Sequence, residues 1–141
     1  MERDRFPVVV HLLALSEHRL LLLRRANTGF MDGWYALPGG HQEAGESPLA
    51  AISRECQEEL GVRPLEVAPL CVLPYRSGRH QGVNLVFASS GFDGEPRINE
   101  PVFDLLVWCD VENLPGPMAP WIATALDLRA RGHWYQELAW D

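Results

Sequence analysis

The sequence has few cysteines and no long apolar run. Its three cysteines, Cys56, Cys71 and Cys109, are odd in number and widely spaced along 141 residues. Because this pattern fits neither a disulfide framework nor a zinc site, we expect reduced thiols and a cytoplasmic protein. The N-terminal MERDRF segment is charged and precedes only a short apolar stretch. We therefore expect neither a signal peptide nor a membrane span.

Positive charge is also in short supply. Twelve basic residues stand against 19 acidic ones, which gives a net charge of −7. This balance argues against a general electrostatic grip on nucleic acid or anionic membrane. A polyphosphate ligand would need a local positive site, and a bound metal ion would supply one. The length, the 47% hydrophobic fraction and the 22% charged fraction predict one globular domain, residues 1–141, with a single core.

Residues 40–62 read GHQEAGESPLAAISRECQEELGV and contain Glu55, Glu58 and Glu59 at helical spacing. Residues three and four apart share one face of an α-helix, so these carboxylates would crowd together and repel. A cluster of oxygen ligands suits a hard cation such as Mg²⁺ or Mn²⁺. The preceding loop, residues 37–40, contains two glycines that permit close backbone approach, and a carbonyl there could complete the metal site.

The helix around the glutamates has clear start and stop signals. Ser47 is a good N-cap, Pro48 suits the first helical position, and Gly61 suits a left-handed C-cap. Arg54 adjoins the glutamates, and we predict that it pairs with Glu46. We also predict a buried apolar stripe, with the glutamates beside it, formed by Leu49, Ile52, Cys56 and Leu60.

This stretch resembles the Nudix box, G-x5-E-x7-R-E-U-x-E-E-x-G-U, where U is a bulky apolar residue. The match runs without a gap and comprises Gly40, Glu46, Arg54, Glu55, Glu58, Glu59, Gly61 and Val62. Cys56 departs from the family pattern, which usually has Ile, Leu or Val at that position. A buried cysteine behaves as a small hydrophobic residue, so we expect little effect on the chemistry.

The resemblance implies an α/β fold, the Nudix α/β/α sandwich with a mixed β-sheet. It also implies hydrolysis of a diphosphate linkage in a nucleoside diphosphate joined to another group, dependent on Mg²⁺ or alternatively Mn²⁺. The implied metal ligands are Gly40, Glu55, Glu58 and Glu59. Arg54 joins the catalytic group as a support, with Glu46, because such supports fix ligand geometry. The base that activates water stays open among Glu55, Glu58 and Glu100.

Other positions carry more than one interpretation. The loop at residues 26–33 either shapes a substrate pocket, as in many Nudix proteins, or forms a surface turn. Glu100 is either a further acidic group of the site, with Asp104 as second choice, or an exposed loop carboxylate. His11 is better explained as a core or edge histidine than as a catalytic one. The predicted substrate-binding residues are Arg25, Asn27, Phe30, Asp32, Asn84 and Asp104.

The intact glutamates favour an enzyme that acts on a small nucleotide, with nucleoside triphosphates first among the candidates. Markers of the ADP-ribose and dinucleoside polyphosphate subfamilies are absent near Gly78 and His80. One alternative is a nucleotide-binding or sensing Nudix domain without catalysis. Another is an RNA 5′-pyrophosphohydrolase, which would need a basic surface. We expect no membrane or extended nucleic acid as a partner, and a homodimer is compatible with the family.

The rest of the sequence predicts several strands and a second helix. The tail aromatics Trp134, Tyr135 and Trp140 are expected to pack back on the body. A hairpin loop is predicted at 76–82 and a long loop at 91–101. The predicted strands span 8–15, 19–25, 34–37, 66–75, 83–89 and 104–111, and the helix spans 119–131.

Overall fold

The computed structural model describes residues 1–140, which form nine strands and two helices. In chain order these are β1 (Val8–Ser16), β2 (Arg19–Arg25), β3 (Tyr35–Ala36), β4 (Gly39–His41), α1 (Pro48–Leu60), β5 (Pro64–Leu65), β6 (Ala68–Ser77), β7 (His80–Ser89), β8 (Gly91–Phe92), β9 (Phe103–Asp110) and α2 (Pro120–Arg131). Within residues 1–140, neither helix has the length and apolar character needed to cross a bilayer.

Strand β1 lies at the centre of a mixed, seven-stranded sheet. It runs parallel to β7 and antiparallel to β2 and β4. On one side β6 pairs antiparallel with β7, and on the other β9 and β3 pair antiparallel with β2. Strands β5 and β8 form a separate antiparallel pair. The predicted mixed sheet is confirmed.

The apolar run of β2 shows how the sheet is covered on both faces. Leu21 and Leu23 pack in the cluster that includes the buried face of α1, whereas Leu20 and Leu22 pack in the cluster of α2. Successive strand residues point to opposite faces, so an unbroken apolar run needs a layer on each side. The predicted α/β/α sandwich follows. Truncating one of these leucines to alanine would cost about 2–5 kcal/mol of stability.

Helix α1 begins and ends where the sequence predicts. The Ser47 hydroxyl accepts a hydrogen bond from the Ala50 N–H, and Gly61 adopts φ 71°. The prediction that Leu49 is buried was wrong, because its side chain is 51% exposed. Ala51 is fully buried instead, and residues two apart do not share a helix face.

The predicted loop at 76–82 was also wrong. Strands β6 and β7 continue through this segment until Ser77 pairs with His80, so only Gly78 and Arg79 form the turn. Gly78 adopts φ 60° at the first central position, as a type II′ turn requires. The polar character of these residues reflects an exposed hairpin end and not a break in pairing.

The C-terminal tail packs back through its backbone and not through its aromatic rings. Tyr135 and Leu138 form parallel bridges with Val72 and Tyr75 of β6. Leu138 packs against the cluster beneath α2. The side chains of Trp134, Tyr135 and Trp140 are 66%, 45% and 50% exposed, so the expected packing of these rings was wrong. The tail instead covers the open edge of β6, which would otherwise present unpaired backbone groups.

Candidate active site

Arg54 of α1 connects three of the glutamates singled out by the sequence. Its Nη2 and Nε lie 2.7 and 3.0 Å from the two carboxylate oxygens of Glu46, which confirms the predicted pair. Its Nη1 lies 3.0 Å from Glu55 Oε1 and 3.3 Å from Glu58 Oε2. A planar guanidinium can bind several carboxylates at fixed angles, which an ammonium group cannot do as well.

The Arg54–Glu46 pair also fixes the loop that precedes α1. Glu46 Oε1 accepts a hydrogen bond from the Glu43 N–H, and Arg54 Nη2 donates to the His41 carbonyl. The hydrogen bonds from Arg54 lower the pKa of Glu46 to about 2, so this carboxylate stays ionised in neutral solution. The end of β4 is therefore tied to the middle of α1.

Glu59 lies inside the protein and not beside the apolar stripe. It lies on the buried face of α1, and only 7% of the residue is exposed. It follows Ile52 by seven positions and Cys56 by three. Residues at these spacings share one helix face, so the expectation that all glutamates flank the stripe was wrong for Glu59. Its Oε1 accepts a 2.8 Å hydrogen bond from the Gly39 N–H. Burial raises the pKa of Glu59 to about 9, and the charges of Glu55 and Glu100 add to this effect.

The two adjacent glycines allow the backbone of β4 to approach its neighbours. A side chain at Gly40 would overlap the carboxylate of Glu55, and one at Gly39 would overlap the Val10 carbonyl on β1. Burial raises the pKa of Glu55, Arg54 opposes the rise, and the charges of Glu58 and Glu100 contribute to it. The glycine pair thus lets a half-buried carboxylate lie directly against backbone.

Asn99 positions the loop that carries Glu100, and sequence reasoning did not single it out. The Asn99 side chain donates to the Glu58 carbonyl at 3.1 Å, and its N–H donates to the Glu59 carbonyl at 2.9 Å. These bonds satisfy carbonyls at the C-terminal end of α1, which have no partner within the helix. Because the contact joins segments some 40 residues apart, no local pattern marks it.

The carboxylates do not form a ready-made metal site. Among residues 1–140, no three acidic, histidine or cysteine side chains are arranged to hold an ion. Instead, Arg54 Nη1 lies within hydrogen-bond distance of both Glu55 and Glu58. The donor set nevertheless consists of oxygen atoms alone, which hard divalent cations prefer.

A cleft of about 330 Å³ lies beside Glu59 and the two glycines. It has the size and the aromatic lining of a small-molecule site. Its lining includes the aromatic residues Phe30, Trp34, Tyr35, Phe103 and Trp121, and the polar residues His11, Arg25, His41 and Glu59. Of these, sequence reasoning did not propose His11, Trp34, Tyr35, His41, Phe103 or Trp121 as ligand-binding residues.

Two of the predicted substrate-binding residues line the cleft: Arg25 at the end of β2 and Phe30 in the loop that follows. Arg25 Nε donates to the Phe30 carbonyl at 3.1 Å, and its guanidinium lies 5.8 Å from the Phe30 ring centroid. The Phe30 side chain is 66% exposed at the cleft rim. Asp32 organises this loop by accepting hydrogen bonds from the backbone of Thr28 and Gly29. Asp32 is not among the described residues that line the cleft.

The structure does not bring three other predicted residues, Asn27, Asn84 and Asp104, to the described cleft wall. Asn27 donates to the Pro101 carbonyl, and Asp104 pairs with Arg24 at 2.8 Å. Asn84 is buried behind His11. Their polar groups are therefore engaged within the protein.

Comparison with known proteins identifies the family. The model of the NUDIX domain matches residues 4–128. The chain belongs to the Nudix family. Strong structural likeness supports this assignment: a MutT NUDIX hydrolase from Burkholderia pseudomallei shares 29% identity and a TM-score of 0.80, over 88% of this chain and 98% of that one.

Several of the curated Nudix relatives are named for an enzymatic activity. An ADP-ribose pyrophosphatase of Methanocaldococcus jannaschii is 33% identical over 102 residues, which cover 71% of this chain and 59% of the relative. An RNA pyrophosphohydrolase of Halorhodospira halophila is 42% identical over 123 residues, which cover 74% of this chain and 66% of the relative. The chain therefore spans less than two thirds of each of these two relatives.

Cys56, the departure from the Nudix pattern, is completely buried in the α1 cluster. Burial raises the pKa of its thiol, which therefore stays uncharged and unreactive. We expect Cys56→Val to change the free energy of unfolding by less than about 1.5 kcal/mol, as conservative core replacements do, and to leave turnover unchanged. Thermal unfolding and steady-state kinetics would check this. A large loss of turnover at unchanged stability would assign the thiol a chemical role.

Proposed function

We propose that this Nudix protein hydrolyses the diphosphate linkage of a nucleoside diphosphate joined to another group. The observation that carries the proposal is the position of the glutamates. Glu59 lines the aromatic cleft, and Glu55 lies against Gly40, which also lines it. Acidic groups that can recruit a cation thus adjoin a pocket suited to a flat ligand. A polyphosphate spanning both would bridge the cleft and the carboxylates.

The proposed cofactor is a divalent cation, Mg²⁺ or alternatively Mn²⁺. Glu55, Glu58, Glu59 and the Gly40 carbonyl are the proposed ligands, and the charge of the cluster fits a cation. Burial raises the pKa of both Glu55 and Glu59 above the usual range. The protein therefore offers too little positive charge and too few hydrogen bonds to offset the desolvation of their ionised forms. Arg54 Nη1 lies within hydrogen-bond distance of both Glu55 and Glu58, so it would compete with a cation for these two carboxylates.

The residues around the cation would have separate roles in the reaction. A bound divalent cation would neutralise phosphate oxygens and lower the pKa of a water molecule. Glu55, Glu58 and Glu100 are the candidates to accept the proton of the attacking water. Arg54 would hold the helix and the preceding loop in register through Glu46, and such supporting contacts are commonly worth about 10–100-fold in activity.

The cleft lining supports a nucleotide as the substrate. Aromatic rings at Phe30, Trp34 and Trp121 offer surfaces for stacking a nucleobase. Arg25 at the cleft rim presents a guanidinium, which recognises phosphate well. The names of the two relatives refer to ADP-ribose and to RNA. Both compounds contain a nucleoside joined to a phosphate chain. We therefore propose small nucleotides, with nucleoside triphosphates first, as the substrate class.

An RNA 5′-pyrophosphohydrolase is the second candidate, favoured by the 42% identity to the Halorhodospira halophila protein. The net charge of −7 argues against an extended RNA contact, which basic residues would have to supply. A sensing domain without catalysis is less well supported, because Glu55, Glu58 and Glu59 are all retained. The three free cysteines further suit a cytoplasmic location.

The test is release of phosphate and pyrophosphate from a substrate panel. The panel contains nucleoside triphosphates, ADP-ribose, nucleotide sugars, dinucleoside polyphosphates and a 5′-triphosphorylated RNA, each with Mg²⁺, with Mn²⁺ and with excess chelator. We expect cation-dependent, largely salt-insensitive turnover of a small nucleotide. Preference for the RNA, declining steeply with salt, would support the second candidate. Tight nucleotide binding without any turnover would indicate a sensing domain.

A further inference from the structure

The amide of Asn84 has only one favourable orientation. Its Nδ2 lies 3.3 Å from the Leu73 carbonyl, which can only accept a hydrogen bond. The amide nitrogen must therefore point to Leu73, and Oδ1 must point to His11, whose Nε2 lies 2.9 Å away. Asn84 is only 7% exposed, so its groups cannot turn to solvent without losing both bonds.

The Asn84 orientation determines the tautomer of His11. Because Oδ1 is an acceptor, His11 Nε2 must carry the proton. In the neutral ring, the other nitrogen, Nδ1, then holds a lone pair and can only accept. Burial lowers the pKa of His11 to about 4, which agrees with a neutral ring in neutral solution.

The His11 ring belongs to the cleft lining, and its centroid lies 4.3 Å from that of Trp121 at an interplanar angle of 49°. Among residues 1–140, no donor bonds to His11 Nδ1, and no side-chain nitrogen or oxygen buried from solvent lacks a partner. Nδ1 is therefore accessible, and the bond to Asn84 and the contact with Trp121 hold its direction.

We propose that His11 is a specificity-determining residue that accepts a hydrogen bond from an exocyclic amino group of the nucleobase. This inference rests on the proposed function, because it places the base of the substrate in the cleft. A base with an N–H donor at this position would satisfy Nδ1. A base that lacks the donor would leave Nδ1 unpaired and desolvated, which disfavours binding.

The experiment compares nucleotide pairs that differ by one amino group. The probes are the 5′-triphosphates of adenosine and purine riboside, of cytidine and pyrimidin-2-one riboside, and of guanosine and inosine. For at least one pair, we expect deletion of the amino group to lower kcat/KM of the wild-type protein about tenfold, the value of one well-made hydrogen bond. In His11→Phe, which keeps a ring against Trp121, the same deletion should change kcat/KM by less than about twofold.

A matched control is His80→Phe, the same chemical change at an exposed position in the β6–β7 hairpin. It should preserve the wild-type preference. An amino-group effect that is absent in the wild type, or that persists in His11→Phe, would overturn the inference. Failure of the wild-type protein to hydrolyse any nucleotide in the presence of Mg²⁺ would instead contradict the proposed function. Calorimetric binding of the same six nucleotides to the wild type and to His11→Phe would then decide the role of His11 by the same comparison.

A second measurement needs no substitution at His11 and covers the case in which His11→Phe does not fold. Nitrogen NMR of wild-type protein labelled at histidine reports which ring nitrogen carries the proton. We expect one imidazole with a protonated Nε2 and an unprotonated Nδ1, whose Nδ1 signal shifts when an amino-bearing nucleotide is added. A protonated Nδ1, or an Nδ1 signal that does not respond to bound nucleotide, would overturn the inference.

Discussion

Glu58→Gln is expected to lower turnover by more than about a hundredfold while the protein still folds. Loss of a group that merely supports a metal ligand costs about 10–100-fold, so loss of a proposed ligand should cost more. The fold should survive because the Glu58 side chain is 49% exposed and its ion pair with Arg54 is a surface contact of little net stability. Glutamine also keeps an oxygen that can accept from Arg54.

The matched control for this prediction is Glu112→Gln, which makes the same change at an exposed carboxylate in the segment between β9 and α2. Kinetics on the best substrate and thermal unfolding should be measured for both variants. Glu112→Gln should behave as the wild type in both measurements. Near-native turnover in folded Glu58→Gln would remove Glu58 from the proposed ligand set.

The limits of α1 could be predicted from sequence because the determining interactions are local. Ser47 caps a donor three residues away, and Gly61 supplies the left-handed residue that ends the helix. Burial on the helix was harder to predict. Leu49 is exposed and Glu59 is buried, the reverse of what their residue types favour. The direction of the buried stripe depends on how the helix lies on the sheet. That placement comes from contacts outside the helix.

The cleft could not be assembled from sequence for a related reason. His11 lies on β1 and Trp121 on α2, some 110 positions later, yet their rings are in contact. His11 was favoured as a satisfied core histidine, and the bond to Asn84 agrees with that interpretation for one ring nitrogen only. No periodicity distinguishes a strand residue that faces a cleft from one that faces a packed helix. The environments of the two His11 ring nitrogens are set by residues of β7 and α2, which only the folded structure brings next to β1.

Glu59 gives the second large effect, which is a stability that depends on pH and on divalent cation. Its pKa lies at about 9 in the folded protein, against an ordinary value of 4.5. Between these two values the folded state holds a proton that the unfolded state has released. Stability should therefore fall as the pH rises through this window when cation is removed by chelator. A cation that binds the ionised carboxylate should restore stability, and most strongly at the alkaline end.

The test compares melting temperatures of the wild type and Glu59→Gln from about pH 6 to about pH 9, with chelator and with Mg²⁺. Glutamine keeps an acceptor for the Gly39 N–H but carries no charge, so its melting temperature with chelator should be less sensitive to pH. At the alkaline end the variant should melt at least about 4 °C above the wild type, the shift produced by roughly 1 kcal/mol in a domain of this size. With Mg²⁺ the wild type should gain stability and the variant little, because the charge that attracts the cation is gone. Equal pH slopes in the two proteins would show that burial does not perturb Glu59. A Mg²⁺ effect of equal size in both would show that the cation binds without it.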